Sequence, residues 1–311
     1  MLLSRADCAK NWLNTPDGRE GWASYFLRHG YTVYLTDQAM RGRSPWLTGE
    51  GSFTAYSTFA IEQQFTAPMG FPSYPQSVYH TQWPGCGVAG DPIFDAFYPS
   101  QVQAQSNATL QAVYNNASYV DLLDRIGPAI VFAHSQGGPF GFQLADARPH
   151  LVKGYVPIEP SGPPFRNYGG PPFAPGYVSS PGLLARPYGI TSFPLAYDPP
   201  VGDDPTLLQT EDVTAPRANL SPCTQQTTPA RRLANLAQVP VLFLTSEASY
   251  HAVYDHCTVA YLRQAGVQVD DYDLPTKGLH GNGHFIFMEK NNLEVVELIR
   301  PWIDSHANGE Y

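Results

Sequence analysis

Charge is what this sequence has least of. Only 14% of its 311 residues are Asp, Glu, Lys or Arg, where about a quarter is usual in a soluble chain. Basic residues are the scarcer kind, 18 against 27 acidic, which leaves a net charge of −9. No basic run occurs, and this excludes the electrostatic footprint of a nucleic-acid binder or an anionic-membrane protein. No apolar span reaches the roughly 18 residues of a transmembrane helix, and no segment repeats at a fixed period. The opening Met1-Leu2-Leu3-Ser4-Arg5 is too short and too soon charged for a signal peptide. Cys8, Cys86, Cys223 and Cys257 lie far apart, with neither C-x-x-C nor zinc-like spacing. They permit two disulfides or four free thiols, and no metal site is expected from them.

Proline (30), glycine (27) and tyrosine (19) are abundant, and 43% of the chain is hydrophobic. That is enough apolar surface for one large α/β core, with long ordered loops wetted by amides and hydroxyls. Three sequons, at Asn107, Asn116 and Asn219, point to a secreted glycoprotein in the full-length form.

Read in order, Arg19 to His29 has helical spacing and is closed by Gly30, and Tyr31 to Thr36 is a strand delivering Asp37. Residues 45–105 are aromatic and turn-rich, an excursion over the sheet. A helix over 107–125 precedes the apolar strand Ala129 to Ala133, and a second helix begins near Pro139. A strand at 152–158 ends in Glu159-Pro160. Residues 161–228, dense in Pro, Gly and Tyr, form a lid, because a structureless loop of that length is normally functional. A helix over 229–238, a strand over 239–245, a helix over 251–265, a strand over 267–274 and a helix over 291–305 follow. Alternating strands and helices with apolar strands predict a mostly parallel sheet covered on both faces. The whole chain, 1–311, reads as a single domain with insertions at about 45–105 and 161–228. Asp37, Ser135, Glu159, Glu247 and His284 all fall at the carboxyl edge of the strands, where such sheets bind ligands.

The stretch Ala133-His134-Ser135-Gln136-Gly137 is a strand, a tight corner of small residues and a helix start, the setting of a G-x-S-x-G nucleophile elbow with alanine in the first glycine position. A serine hydroxyl is a weak nucleophile until an imidazole takes its proton, and a carboxylate must orient that imidazole. The histidine should lie late, in the loop before the last helix. His284 and His280 both qualify, and the flexible Gly281-Asn282-Gly283 approach favours His284, with His280 a structural hydrogen-bonder. His134 reads as a pocket or packing residue. For the acid, Glu159 and Glu247 stand level on the residues alone.

Thr15-Pro16-Asp17-Gly18-Arg19, Gly21-Trp22, Tyr25-Phe26-Leu27, Gly30-Tyr31, Asp37 and Arg41-Gly42-Arg43-Ser44 resemble the opening of the bacterial esterase 713 family and its fungal relatives. His134-Ser135-Gln136, Glu159-Pro160, His280-Gly281-Asn282-Gly283-His284 and Asn291-Asn292-Leu293 extend the resemblance over most of the chain, fading in 161–228. It implies an α/β-hydrolase fold with Ser135 as nucleophile, His284 as base and Glu159, directly after the strand following the elbow, as acid. Glu247 becomes the fallback. The amide of Gln136 is one expected oxyanion donor. The second would come from a loop just before the Thr15 turn. Only Met1 to Asn14 precede that turn, and Ser4 to Ala9 lacks a glycine-rich look, so the first strands and this loop are expected to be missing and the activity impaired.

The leading expectation is a serine hydrolase of a moderately apolar carboxylic ester, with a small-molecule substrate and no cofactor. The alternatives are a catalytically inactive binding protein on the same fold, or a lyase or lactone-forming enzyme reusing the triad. An epoxide hydrolase or dehalogenase is disfavoured, because those need a carboxylate where Ser135 stands.

Overall fold

Strand residues alternate between two faces, and in this chain both faces are apolar. In Ala129–His134 every residue is buried; Val131 and Ala133 join one core cluster, Ile130 and Phe132 another. Val241–Thr245 is likewise buried throughout, with Val241 and Phe243 on the first face and Leu242 and Leu244 on the second. A strand that is apolar on both sides belongs in the middle of a covered parallel sheet. The computed structural model, which describes residues 2–5, 9–167 and 185–307, shows that sheet.

Six parallel strands build it: β1 (Leu2–Arg5), β2 (Tyr34–Asp37), β3 (Ala129–His134), β4 (Val152–Ile158), β5 (Val241–Thr245) and β6 (Val269–Asp273), in the spatial order β6-β5-β4-β3-β1-β2. Helices α2 (Ala108–Ile126), α3 (Gly138–Ala147) and α4 (Asp255–Gln264) bury Leu123, Phe142 and Leu262 against the first face. Helices α1 (Trp22–Arg28) and α5 (Asn292–Ala307) bury Trp22, Phe26, Val295 and Ile299 against the second. Asn107 caps α2, its side-chain oxygen accepting from the amides of Thr109 and Leu110.

Several expectations are corrected. A strand does precede the Thr15 turn. Leu2–Arg5 lies between β2 and β3, with Ser4 paired to Thr36 on one side and to Ala133 on the other. Residues 6–8, the segment in which the oxyanion loop was expected to be missing, lie outside the described residues, as does Cys8. The helix expected over 229–238 is absent. Arg232–Leu233 instead pairs antiparallel with Tyr197–Asp198, and Leu236–Gln238 makes a single 3₁₀ turn. The amides of Leu233 and Ala234 donate to Ala265 and Ala196 rather than up a helix. Tertiary partners override local propensity here.

Within 161–228, residues 168–184 lie outside the described set. The rest includes an antiparallel pair, Thr210–Val213 with Cys223–Gln226. A disulfide between Cys223 and Cys257 ties that pair to α4. Cys86 is a free, exposed thiol.

The position of β1 matters for function. From β1 the chain moves outward to β2, then returns to the other side of β1 to lay down β3. This reversal is a topological switch point, and the crevice it opens at the carboxyl ends is where open α/β sheets bind ligands. Ser135 directly follows β3 at that crevice.

The disulfide closes a loop of sequence separation 34, which restricts the unfolded chain by about 2–4 kcal/mol. Replacing both cysteines with serine is expected to lower stability by that amount. A urea denaturation midpoint that does not move would refute it.

Candidate active site

The serine corner is strained. Ser135 has φ of +54°, a left-handed conformation rare for a residue with a side chain. The corner can tighten this far because its neighbours are small. A Cβ on Gly138 would stand 2.2 Å from the Pro160 side chain. The carbonyl of Ser135 accepts from the amide of Ser161 at 2.9 Å, which locks the elbow to the segment leaving β4. Ser135 itself is half-buried.

Glu159 also has positive φ, +42°, and turns its carboxylate beneath the strand ends, where it is fully buried. Its Oε2 meets Nδ1 of His284 at 2.6 Å. Its Oε1 accepts from the Ser246 amide at 2.8 Å and from the Ser246 hydroxyl. Burial alone pushes the Glu159 carboxyl upward. The hydrogen bond from His284, the nearby His251 and the Ser246 hydroxyl outweigh it and hold the group below its ordinary range.

Glu247 is placed elsewhere. Its carboxylate accepts from Gly281 N at 2.7 Å and meets Nδ1 of the exposed His280 at 3.1 Å. It braces the approach to His284 without touching that ring. A cavity of about 580 Å³ lies on this side, lined by Ser246, Glu247, Asp271 and Asp273 among others.

The loop carrying His284 is held by buried polar contacts. Glu289, fully buried, accepts from Gly283 N at 2.9 Å and Asn282 Nδ2 at 2.9 Å, and meets His80 Nε2 at 2.8 Å. Arg19, from the Thr15 turn, donates to the carbonyls of Met288, Glu289 and Lys290 and to Asn292 Oδ1. Gly281, at φ +79°, passes so near Thr81 that a Cβ would come within 2.0 Å of its hydroxyl.

Other rings and amides complete the site. His134 is buried, its Nε2 2.9 Å from the His284 carbonyl and its ring centroid 4.4 Å from the His284 ring. Phe65, on a wide turn of π type at Glu62–Thr66, stacks on His284 at 5.1 Å and 25°. Arg41, buried after β2, donates to Gln136 Oε1, while Gln136 Nε2 donates to Gln111 Oε1 at 2.8 Å. Asp37 accepts from the Arg43 amide and guanidinium, fixing the loop that presents Arg41. His251 stacks face to face on His284, 4.8 Å between centroids and 8° between planes, and meets Asp255 through Nδ1.

The structure thus brings Glu159 and His284 together and places Ser135 at the adjoining strand end. Sequence reasoning missed Phe65, Ser246, His251, Asp255 and Glu289. No spacing marks them, because each acts through another residue. The i, i+4 placement of His251 and Asp255 was the one available signal.

The sequence profile of the Alpha/beta hydrolase family matches residues 14–298. A fungal protein (strain ATCC 74256) named "Probable secreted lipase phiG" is 49% identical over 304 residues, covering 97% of this chain and 80% of its own. A solved structure titled a novel bacterial esterase superposes with a TM-score of 0.57 at 19% identity, covering 98% of this chain and 80% of that one, a likeness of fold.

Because the folded value of Glu159 is depressed, its ionised form stabilises the fold above its ordinary value near 4.5, and that contribution is lost as pH falls through the folded value. Glu159→Gln is therefore expected to melt below wild type at pH 7, with the gap closing as pH drops below about 4.5. Equal melting temperatures for the two proteins at pH 7 would sink this assignment.

Proposed function

The chain belongs to the alpha/beta hydrolase family, and on that premise we propose that it is a serine carboxylic-ester hydrolase working through an acyl-enzyme. The hydroxyl of Ser135 attacks the ester carbonyl while His284 takes its proton. Glu159 fixes the imidazole tautomer and stabilises the imidazolium. His284 then gives the proton to the departing alcohol, and water cleaves the acyl-serine by the same relay. The amide of Gln136 is one oxyanion donor.

One observation carries the reading: a buried carboxylate 2.6 Å from a late histidine, next to a serine at φ +54°. An ionised carboxylate buried in this way is costly unless its donors are specific. Neither glutamine at 159 nor the Glu247–His280 pair could orient His284 in the same manner. Phe65 and Tyr250 pack on the base, which favours a moderately apolar ester. The segment 45–105 serves as a cap, and the described parts of the later insertion, residues 161–167 and 185–228, as a lid, on a single catalytic domain. The disulfide, the three sequons and the name of the 49% identical relative support secretion. Among the described residues no helix is long and apolar enough to cross a membrane.

A fluorophosphonate probe should label wild type and not Ser135→Ala; equal labelling of both refutes the mechanism. On p-nitrophenyl esters, Glu159→Gln should lower kcat by roughly 10³–10⁴-fold. Glu247→Gln should stay within a few-fold of wild type, and the reverse ranking would make Glu247 the acid.

A further inference from the structure

The mechanism above leaves one buried pair unused, His251 with Asp255. Both are fully buried, and imidazole and carboxyl groups are poor core material unless their hydrogen bonds are needed. His251 lies in a 3₁₀ turn, Tyr250–Val253, whose start is capped by the Ser249 hydroxyl accepting from the His251 amide. Asp255 opens α4 four residues on. Nδ1 of His251 is 3.0 Å from Asp255 Oδ1, and Nε2 is 3.3 Å from the Tyr254 hydroxyl. The ring is pinned at both nitrogens. Its face lies 8° from parallel to His284 at 4.8 Å.

We propose that His251 is a positioning residue for the base: pinned by Asp255 and Tyr254, its ring sets the plane in which His284 meets Glu159 on one side and Ser135 on the other. The proposal rests on the serine-hydrolase reading.

The arrangement is more than packing. Phe65 shows that a plain aromatic ring can cover His284, so a second, polar ring here has been fixed in orientation as well as in place. The charges around it fit this role. His251 faces Glu159 from the end of β4, Arg186, and Tyr250 and Tyr254 from its own turn. Asp255 faces Thr245 on β5, Asp271 on β6 and Glu159. Burial pushes His251 down to about 4, the nearby Glu159 only partly opposing it. Burial, reinforced by the charge of Glu159, pushes the Asp255 carboxyl well above its ordinary range. Asp255 Oδ1 and the Tyr254 hydroxyl hold the two ring nitrogens at 3.0 and 3.3 Å.

The test compares His251→Ala, His251→Phe, Asp255→Ala and Asp255→Asn with wild type and Ser135→Ala on a short p-nitrophenyl ester. Small misplacement of a catalytic group is costly, up to about 10²-fold. His251→Ala and Asp255→Ala should therefore lower kcat by about tenfold or more at unchanged KM. His251→Phe keeps a flat ring but loses both hydrogen bonds that fix it, and should lower kcat about as far as His251→Ala. Asp255→Asn keeps a hydrogen-bonding group of the same size beside Nδ1 and should recover kcat to within about threefold of wild type. The proposal is overturned if His251→Ala or His251→Phe keeps wild-type kcat, or if Asp255→Asn falls as far as Asp255→Ala. If the alanine variants fail to fold, the other two decide it: Asp255→Asn within threefold of wild type with His251→Phe down about tenfold supports it, and His251→Phe within threefold of wild type overturns it. Activity surviving in Ser135→Ala would instead refute the serine mechanism.

Discussion

Everything at the carboxyl edge of the sheet answers to one demand, that the buried charge of Glu159 be satisfied. An unpaired carboxylate in such a place would cost several kcal/mol, and the group would take up a proton instead. The solution draws on two separate segments: the amide and hydroxyl of Ser246, directly after β5, and Nδ1 of His284, from the loop before α5. The backbone of Glu159 enters the left-handed region to reach them. That conformation is unfavourable by about 1–3 kcal/mol and persists only where surrounding contacts over-determine it. Here they do, since the Glu159 amide also donates to the Leu244 carbonyl.

A second buried carboxylate, Glu289, performs the matching task for the histidine loop. Glu159 holds the ring, whereas Glu289 holds the backbone that delivers it, through Gly283 N and Asn282. Arg19 then clamps the carbonyls on the far side of Glu289. The Thr15 turn and the Gly281-Asn282-Gly283-His284 loop, so distant in sequence, are one physical unit. Both are rigid for the same reason: each fixes backbone polar groups that would otherwise be buried without partners.

Much of this was legible beforehand because local chemistry dictated it. The Ser135 corner needs small neighbours, and the sequence displays them. The strands β3 and β5 are apolar on both faces and can only be interior. The choice between Glu159 and Glu247 was not legible in the residues themselves, since both follow buried strands, and only the resemblance favoured Glu159; in the structure the path of the 280–284 loop separates them, giving Glu247 to His280 and Gly281. Leu2–Arg5 escaped because a run of four residues has no periodicity, and its pairing is set by neighbours on either side. The segment 229–238 was misread because its amides find partners on Ala196 and Ala265, which no local pattern announces. Phe65, His251 and Asp255 were invisible because their chemistry is exerted on other side chains.

The clamp from Arg19 to Glu289 spans 270 residues, and this bears on how the enzyme is made. Contacts this distant are the last to close and slow the folding of the domain that depends on them. A ribosome extends the chain from the amino end at only some 5–20 residues per second. The elbow serine therefore exists for many seconds before its base and the clamp have been synthesised. On the proposed mechanism, the nascent polypeptide carries through that interval a nucleophile whose activating partner does not yet exist, so the order of the sequence itself delays activity.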